Sequence, residues 1–567
     1  MANTHNKLSL HRFRVNLAQT EALIPLTLLG LITGLLAGGL LIGFRELVLW
    51  INDLLVPMGE ESFELLAPEL RMLFPMVGAL LLILLIKLSP SNRRQFGIGH
   101  VIERLTINFG RLPLTNVVGQ FVGALIALTS GFSVGREGPA VHMGAGAGSG
   151  IGQMLRLPNN TLTSLAGCGS AAAIAASFNT PMAGVIFAME VIMKEYTLCS
   201  FIPVMTASVS AAMLSQMVYG ATPAFQIPLI ATPAMEEWLI SALAALVIGA
   251  LAALFIRSTI LATKLRGSKI SAPLMIAGLL MGLAGLFLPD VMGIGYDTIE
   301  MLLNSTAFDL QFLVILLLVK LFITAAVIGL GVPGGVIGPS LMMGALAGSL
   351  LGLLGTSMLG TSVANISFHG MVGMVAMMAA VLQAPLAALI TVLEMTSNPG
   401  IIMPAMLAII IACLTSSQLF RQRGLFEMQF LAKGIDINLP HKAHHLNRTG
   451  VACLMQTELA VCPPEVSPQK LESLMGRWVL IEKDYAIVYA IPPTAKSRVA
   501  TDLLQHPDRL KVHNIGMQAT LNDALQLMNQ EAVDALVVLA TISKDQGKTW
   551  EPCGIITRQA IDTFYHQ

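Results

Sequence analysis

A pattern punctuated by glycine and proline occurs twice in this chain, in the same order and at one constant spacing. Gly135, Gly138, Pro139, Met143, Gly144, Ala145, Ala147 and Gly148 return as Gly335, Gly338, Pro339, Met343, Gly344, Ala345, Ala347 and Gly348. A second pair of segments follows each copy, GSAAAIAASFNTPMAGVIFAME ending at Glu190 and GMVAMMAAVLQAPLAALITVLE ending at Glu394. Within that pair Gly169, Pro181 and Ala183 stand opposite Gly373, Pro385 and Ala387. Two motifs repeated in the same order argue duplication of a whole half. Hydrophobic segments broken by Gly and Pro at corresponding places in two halves point to a transport site between them.

The setting is a membrane. Of 567 residues 54% are hydrophobic and only 12% charged, against about 25% charged in soluble domains. A net charge of zero gives no bulk basic character for nucleic acid. Cys168, Cys199, Cys413, Cys453, Cys462 and Cys553 form no CxxC and no His/Cys cluster, so neither disulfides nor a zinc site are expected. Lys7, His11, Arg12 and Arg14 precede an apolar run from Ala22 that is too long for a signal-peptide core. That basic segment reads as cytoplasmic, and Arg93, Arg94, Lys264, Arg266 and Lys269 mark further cytoplasmic loops.

Several apolar segments, among them 139–155, 181–194 and 385–397, fall short of the roughly 20 residues needed to cross the hydrocarbon. They are expected to stop part-way. Broken helices leave unpaired backbone groups, so the loops 131–139 and 331–339 should face each other around a polar cavity. In GFSVGREGPAVHMGAGAGSG, Pro139 suits the first position of a helix, whose free amides and dipole favour negative charge. Arg136 and Glu137 lie at that start, and the reading is an anion site. Gly144 with Gly148, and Gly344 with Gly348, make GxxxG steps for close helix packing. Ser149 and His142 on one helix are about 10 Å apart along its axis, too far for a nucleophile and its base. With no HExxH either, the chain reads as a non-enzyme.

Past Phe430 the character changes. Residues 433–449 form a polar linker whose His441, His444 and His445 lack the carboxylate or cysteine that would suggest a metal site. From 450 to 567, apolar runs of strand length (VLIEK, AIVYAI, ALVVLA, CGIIT) interleave with the helical LNDALQLMNQ, which predicts a small cytosolic α/β domain. The expected division is 1–20 as an N-terminal segment, 21–432 as the membrane domain with halves near 21–220 and 233–432, then linker 433–449 and domain 450–567.

GREGP at Gly135 to Pro139, with GGVIGP downstream and FNTPMAG between them, resembles the CLC family of chloride channels and chloride/proton antiporters. The likeness runs in motif order over about 20–435, and the C-terminal part resembles a degenerate CBS-domain pair. It implies an all-α polytopic membrane protein with inverted-topology repeats and broken helices, and a homodimer with one pore per subunit. A bacterial inner membrane, cytoplasmic termini and no cofactor go with it. The transported ligand is chloride or a similar monovalent anion, and protons are a second ligand in antiporters. By the same resemblance Glu137 is the gate, a carboxylate that occupies an anion position until protonation or a competing anion displaces it. The implied anion-binding set is Phe96, Gly97, Ile98, Arg136, Glu137, Gly138, Val336, Ile337 and Phe426.

Four departures stand out. Phe96, in Gln95-Phe96-Gly97-Ile98-Gly99, replaces the serine of the family's first anion loop, and Phe426 replaces the tyrosine that closes the central site. Gly335-Val336-Ile337-Gly338-Pro339 keeps the backbone amides of its element. Val191 stands where antiporters carry an inner proton-relaying glutamate, one residue after Glu190. Weak central chloride binding, loose discrimination among anions such as fluoride, nitrate and bicarbonate, and channel-like or weakly coupled movement are therefore expected over strict antiport. Ala560 stands where CBS domains commonly place an aspartate on the ribose of an adenine nucleotide, so a dimer-stabilising appendage is expected over nucleotide regulation.

Overall fold

The computed structural model describes residues 14, 17, 22–55, 63–90, 95–225, 227, 235–267, 269–304, 309–359, 366–435, 446–447, 449–466, 474, 476–483, 486–494, 503–544 and 547–566. Lys7, His11, Arg12, Arg93, Arg94, His441, His444 and His445 lie outside the described residues. The chain forms two compact units, one of residues 27–151 and 164–437, the other of 438–567 with 1–26 and 152–163.

The larger unit is helical. Its first half runs α1 (Leu23–Leu55), α2 (Pro68–Leu88), α3 (Gly97–Ile107), α4 (Leu114–Thr129), α5 (Glu137–Met154), α6 (Asn159–Phe178), α7 (Pro181–Phe187) and α8 (Leu198–Tyr219). Its second half runs α9 (Met235–Arg266), α10 (Ser271–Phe287), α11 (Tyr296–Asn304), α12 (Leu310–Leu330), α13 (Ile337–Leu359), α14 (Ile366–Leu382), α15 (Pro385–Thr396) and α16 (Ile402–Leu414), with α17 (Leu425–Ala432) after it. The halves correspond helix for helix: short α3 answers short α11, and the long α1 answers the long α9. Among the described residues eight helices are long and apolar enough to cross a bilayer. This is a multi-pass membrane protein.

Small residues decide what lies inside. The α5 glycines 144 and 148 press on the carbonyls of Gly169 and Leu165, and Gly344 and Gly348 press likewise on Gly373 and His369, so an added methyl would collide. Each half also caps the other. Glu394 accepts from the amides of Met182 (3.1 Å) and Ala183 (2.7 Å), and Glu190 accepts from those of Leu386 (3.3 Å) and Ala387 (2.7 Å). Both α7 and α15 begin at a proline, where the first-turn amides have no partner within the helix. Ser149 is structural: its hydroxyl donates to Gly110 O (2.5 Å) and accepts from the Leu112 amide (2.9 Å).

The helix starts differ from the sequence expectation by two residues. α5 begins at Glu137 and α13 at Ile337, so Pro139 and Pro339 sit third in the first turn. The loops also come closer than expected. They do not face each other across a cavity but pair directly, Gly135 N donating to Gly335 O (2.8 Å) and Gly335 N to Gly135 O (2.7 Å). An antiparallel exchange of this kind suits two halves inserted in opposite senses. α3, α11 and α17 are too short or too polar to stand out as apolar runs in the sequence.

In the smaller unit six strands form one sheet in the order β1 (Leu459–Cys462), β2 (Trp478–Lys483), β3 (Ala486–Ile491), β4 (Leu510–Gly516), β5 (Ala535–Lys544) and β6 (Gly547–Thr557). β1 and β2 are parallel and β2 and β3 antiparallel; β4, β5 and β6 repeat that arrangement. Leu536 and Val538 of β5 pack into one core and Ala535 and Val537 into another, so this strand is buried on both faces and reads as a continuous apolar run. α18 (Val451–Leu454), α19 (Leu521–Glu531) and α20 (Arg558–His566) complete the unit, and Thr520 with Asp523 makes a capping box at the start of α19. The segment 152–163 joins through Asn159, whose amide donates to Gln518 O (3.0 Å).

Candidate functional site

Where the two loops pair, the starts of α5 and α13 meet. Arg136 O and Val336 O each accept the first helical bond of their helix, from Ala140 and Ser340 (3.0 Å each), which leaves the preceding amides aimed at the centre. Glu137, fully buried, crosses from its own helix to the other. Its Oε1 accepts from the Gly338 amide (3.0 Å) and from the Tyr296 hydroxyl (2.9 Å). Its Oε2 is buried and, among the described residues, accepts no hydrogen bond from another side chain or backbone group. Gly135, Gly335 and Gly338 make this possible, because a Cβ at any of them would run into the carboxylate. A charge held on a helix N-terminus is favourably placed, and only one of its two oxygens is tied.

Two cavities flank this point. One, of about 620 Å³, is lined by Phe96, Gly97, Ile98, Gly335, Val336 and Phe426, together with Lys264, Arg266 and Lys433. Among the described residues no Asp or Glu lines it. The other, of about 410 Å³, is lined by Arg136, Phe178, Phe225, Tyr296, Asp297 and Glu300 among others. The residues expected as one anion-binding set are thus divided. Phe96, Gly97, Ile98, Val336 and Phe426 share the first cavity, Arg136 lies in the second, and Glu137, Gly138 and the buried Ile337 are packed between. Gly138 lies against the backbone of Gly334 and Gly335.

Two placements add detail. The Gly97 amide is not open to the cavity, since it donates to Gln120 Oε1 (2.6 Å). That glutamine also contacts His142 Nδ1 (3.2 Å), while the buried His100 bridges the exposed Gln95 (2.9 Å) and the buried Asn116 (3.1 Å). Arg136 turns from the centre, its Nη2 donating to Ser177 O (3.2 Å) and its guanidinium over the rings of Phe178 (5.6 Å) and Tyr296 (5.4 Å). Val191 is buried in the π-helical turn Ala188–Met193 that continues α7. Among the described residues no cluster of three His, Cys, Asp or Glu side chains suits a metal.

Tyr296 was not singled out in the sequence. A signal existed: Tyr296 precedes Gly335 by the same interval as Phe96 precedes Gly135. The two aromatic residues are counterparts at the starts of α11 and α3, one lining each cavity.

The family described as "Voltage gated chloride channel" matches residues 77–417, a span that holds both loops, both helix starts and the paired glutamates. The chain belongs to this CLC family. As a CLC protein it transports anions. The H(+)/Cl(-) exchange transporter ClcA of Vibrio cholerae is 31% identical over 314 residues, covering 53% of this chain and 67% of that relative. A solved slow cyanobacterial Cl-/H+ antiporter shares the fold with a TM-score of 0.63 at 20% identity, over 72% of this chain and 97% of the other. A eukaryotic CLC transporter does so with a TM-score of 0.60 at 19% identity, over 95% of this chain and 98% of the other.

Proposed function

We propose that this CLC protein moves chloride or a similar monovalent anion through a pore in each subunit of a homodimer, with Glu137 as the gate and with weak coupling to protons. The observation that carries this reading is the Glu137 carboxylate seated on the Gly338 amide at the start of α13, with Oε2 left unbonded by any other described residue. A carboxylate there is a tethered competitor for any anion. Protonation at Oε2 removes its charge and with it the competition. Anions would enter from the cytoplasm through the cavity lined by Lys264, Arg266 and Lys433, whose positive charge concentrates them. With phenylalanine at 96 and 426, binding would rest on backbone amides and positive ring edges. Chloride affinity is accordingly expected to be low and selection among chloride, nitrate, bicarbonate and fluoride loose.

Weak coupling is supported by Val191, which cannot titrate, and by Glu190, whose carboxylate is engaged by two α15 amides. The second reading, exchange at a fixed ratio, is favoured by the ClcA relative, named as an H(+)/Cl(-) exchange transporter. Proteoliposome flux decides between them. Glu137→Gln is expected to keep flux and lose its pH dependence, and the wild-type reversal potential to follow the anion gradient with little shift when pH is changed. A shift with the constant slope of a fixed ratio would establish exchange, and identical flux in wild type and Glu137→Gln would remove the gate.

The same reading places both termini in the cytoplasm of a bacterial cell and keeps 21–432, 433–449 and 450–567 as membrane domain, linker and degenerate CBS pair. The twice-used three-strand arrangement of the sheet supports a duplicated module. Ala560, in the first turn of α20, offers no carboxylate to a ribose. The module is read as a dimer-stabilising appendage, for which ATP or AMP should leave the melting temperature of the full chain unchanged.

A further inference from the structure

We propose that the Tyr296 hydroxyl is a side-chain donor of the anion site itself, holding the Glu137 carboxylate when the site is shut and the transported anion when Glu137 has moved away. The proposal rests on the gate reading above and adds the residue that gives the site its side-chain hydrogen bond.

Two donors converge on one point. The Gly338 amide and the Tyr296 hydroxyl both reach Glu137 Oε1, at 3.0 and 2.9 Å. When the carboxylate leaves, the same N–H and O–H remain directed at a buried spot on a helix N-terminus. Buried donors without an acceptor are costly, so an anion is the favoured replacement.

Tyr296 is held for this task. The wholly buried Lys320 of α12 donates from Nζ to Val291 O and Gly293 O, 3.0 Å each, clamping the turn that delivers Tyr296. The Gly293 amide donates in turn to Gly131 O (3.3 Å), which ties that turn to the loop carrying Glu137. Gly295, at φ +91°, lies against Met342, so the residue before Tyr296 has no room for a side chain. The ring itself is set edge-on to Phe178 (6.3 Å) and Phe225 (5.6 Å) with the Arg136 guanidinium over its face. An aromatic side chain wedged on three sides presents its hydroxyl in one direction.

The duplicated fold sharpens the point. Phe96 is the counterpart of Tyr296 in the other half, and it carries no hydroxyl. Phe426, beside it, carries none either. A side-chain O–H therefore reaches the centre from the Arg136 cavity, while the aromatic residues of the Phe96 cavity offer none.

The test is chloride-dependent flux in proteoliposomes for Glu137→Gln alone and with Tyr296→Phe, which keeps the ring and removes only the hydroxyl. The half-saturating chloride concentration is expected to rise about tenfold in the double variant, the size of one hydrogen bond to a charged group. With Glu137 intact, Tyr296→Phe is expected to raise flux at neutral pH several-fold, because the carboxylate is held less firmly. An unchanged half-saturating concentration in the double variant overturns the proposal. If Glu137→Gln alone behaves as wild type, the gate reading fails, and Tyr296 is still scored by that concentration. Should the double variant not assemble, infrared difference spectra of Glu137→Gln decide: a tyrosine C–O band that shifts when chloride replaces a large impermeant anion, and that persists when the other five tyrosines are replaced by phenylalanine, supports it. No shift overturns it.

Discussion

Glu137 reaches its place because three glycines, 135, 335 and 338, leave space for a carboxylate that a methyl group would occupy. Gly135→Ala is therefore expected to lower stability by about 1–3 kcal/mol through overpacking, read as a lower melting temperature in detergent, and to displace the carboxylate so that flux loses its pH dependence. Phe426→Tyr tests the opposite cavity. A hydroxyl added there should lower the half-saturating chloride concentration several-fold, as one charged hydrogen bond is worth about 1.5–3 kcal/mol; an unchanged value would show that the Phe426 ring does not approach the anion. The glycines and Glu137 were legible in the sequence because close approach is a property of the residue type. Tyr296 is harder to see: its bond to Glu137 spans 159 positions, and what marks it is the duplicated spacing that matches it to Phe96. The partner of the Gly97 amide is hidden for a similar reason: it is Gln120, on the next helix.

The short helices α7 and α15 show how duplication works at the scale of elements. Each starts at a proline with free first-turn amides, and each is capped by the glutamate that ends the corresponding segment of the other half. Helix caps contribute about 0.5–2 kcal/mol, so Glu190→Ala and Glu394→Ala should each destabilise the protein by that order and by similar amounts in thermal melts. Glu190→Gln should leave the reversal potential of the anion flux unchanged, which separates a capping role from proton relay. The positions of these helices could be read from hydrophobic runs that begin at Pro181 and Pro385. Their mutual capping could not, because the pairing of Glu190 with Ala387 depends on the halves lying antiparallel. α3 and α11 escaped notice for a different reason: at eleven and nine residues they are too short to register as apolar runs, yet they deliver Phe96 and Tyr296.

For the whole molecule, a net charge of zero conceals local asymmetry. Lys264, Arg266 and Lys433 share a cavity with no carboxylate among its described lining residues, while Asp297 and Glu300 line the cavity of Arg136. Lys433→Glu is expected to slow anion entry from the Lys433 side several-fold at low ionic strength, with the difference fading above about 0.3 M salt as screening shortens the reach of the charge; initial flux rates across a salt series measure it. The membrane class, the doubled architecture and the separate C-terminal unit were all legible, because composition and repetition are properties of the chain itself. The two-sided division of the expected anion-binding residues was not, since it arises only once the halves are inserted in opposite senses. The stitching of Gly135 to Gly335 carries one more consequence. Lipid thickness and lateral tension act on the outward helices, but prying open the crossing point would mean breaking two peptide bridges together. Conduction should then be indifferent to the mechanical state of the bilayer, with vesicles of short and long acyl chains passing anions at the same rate.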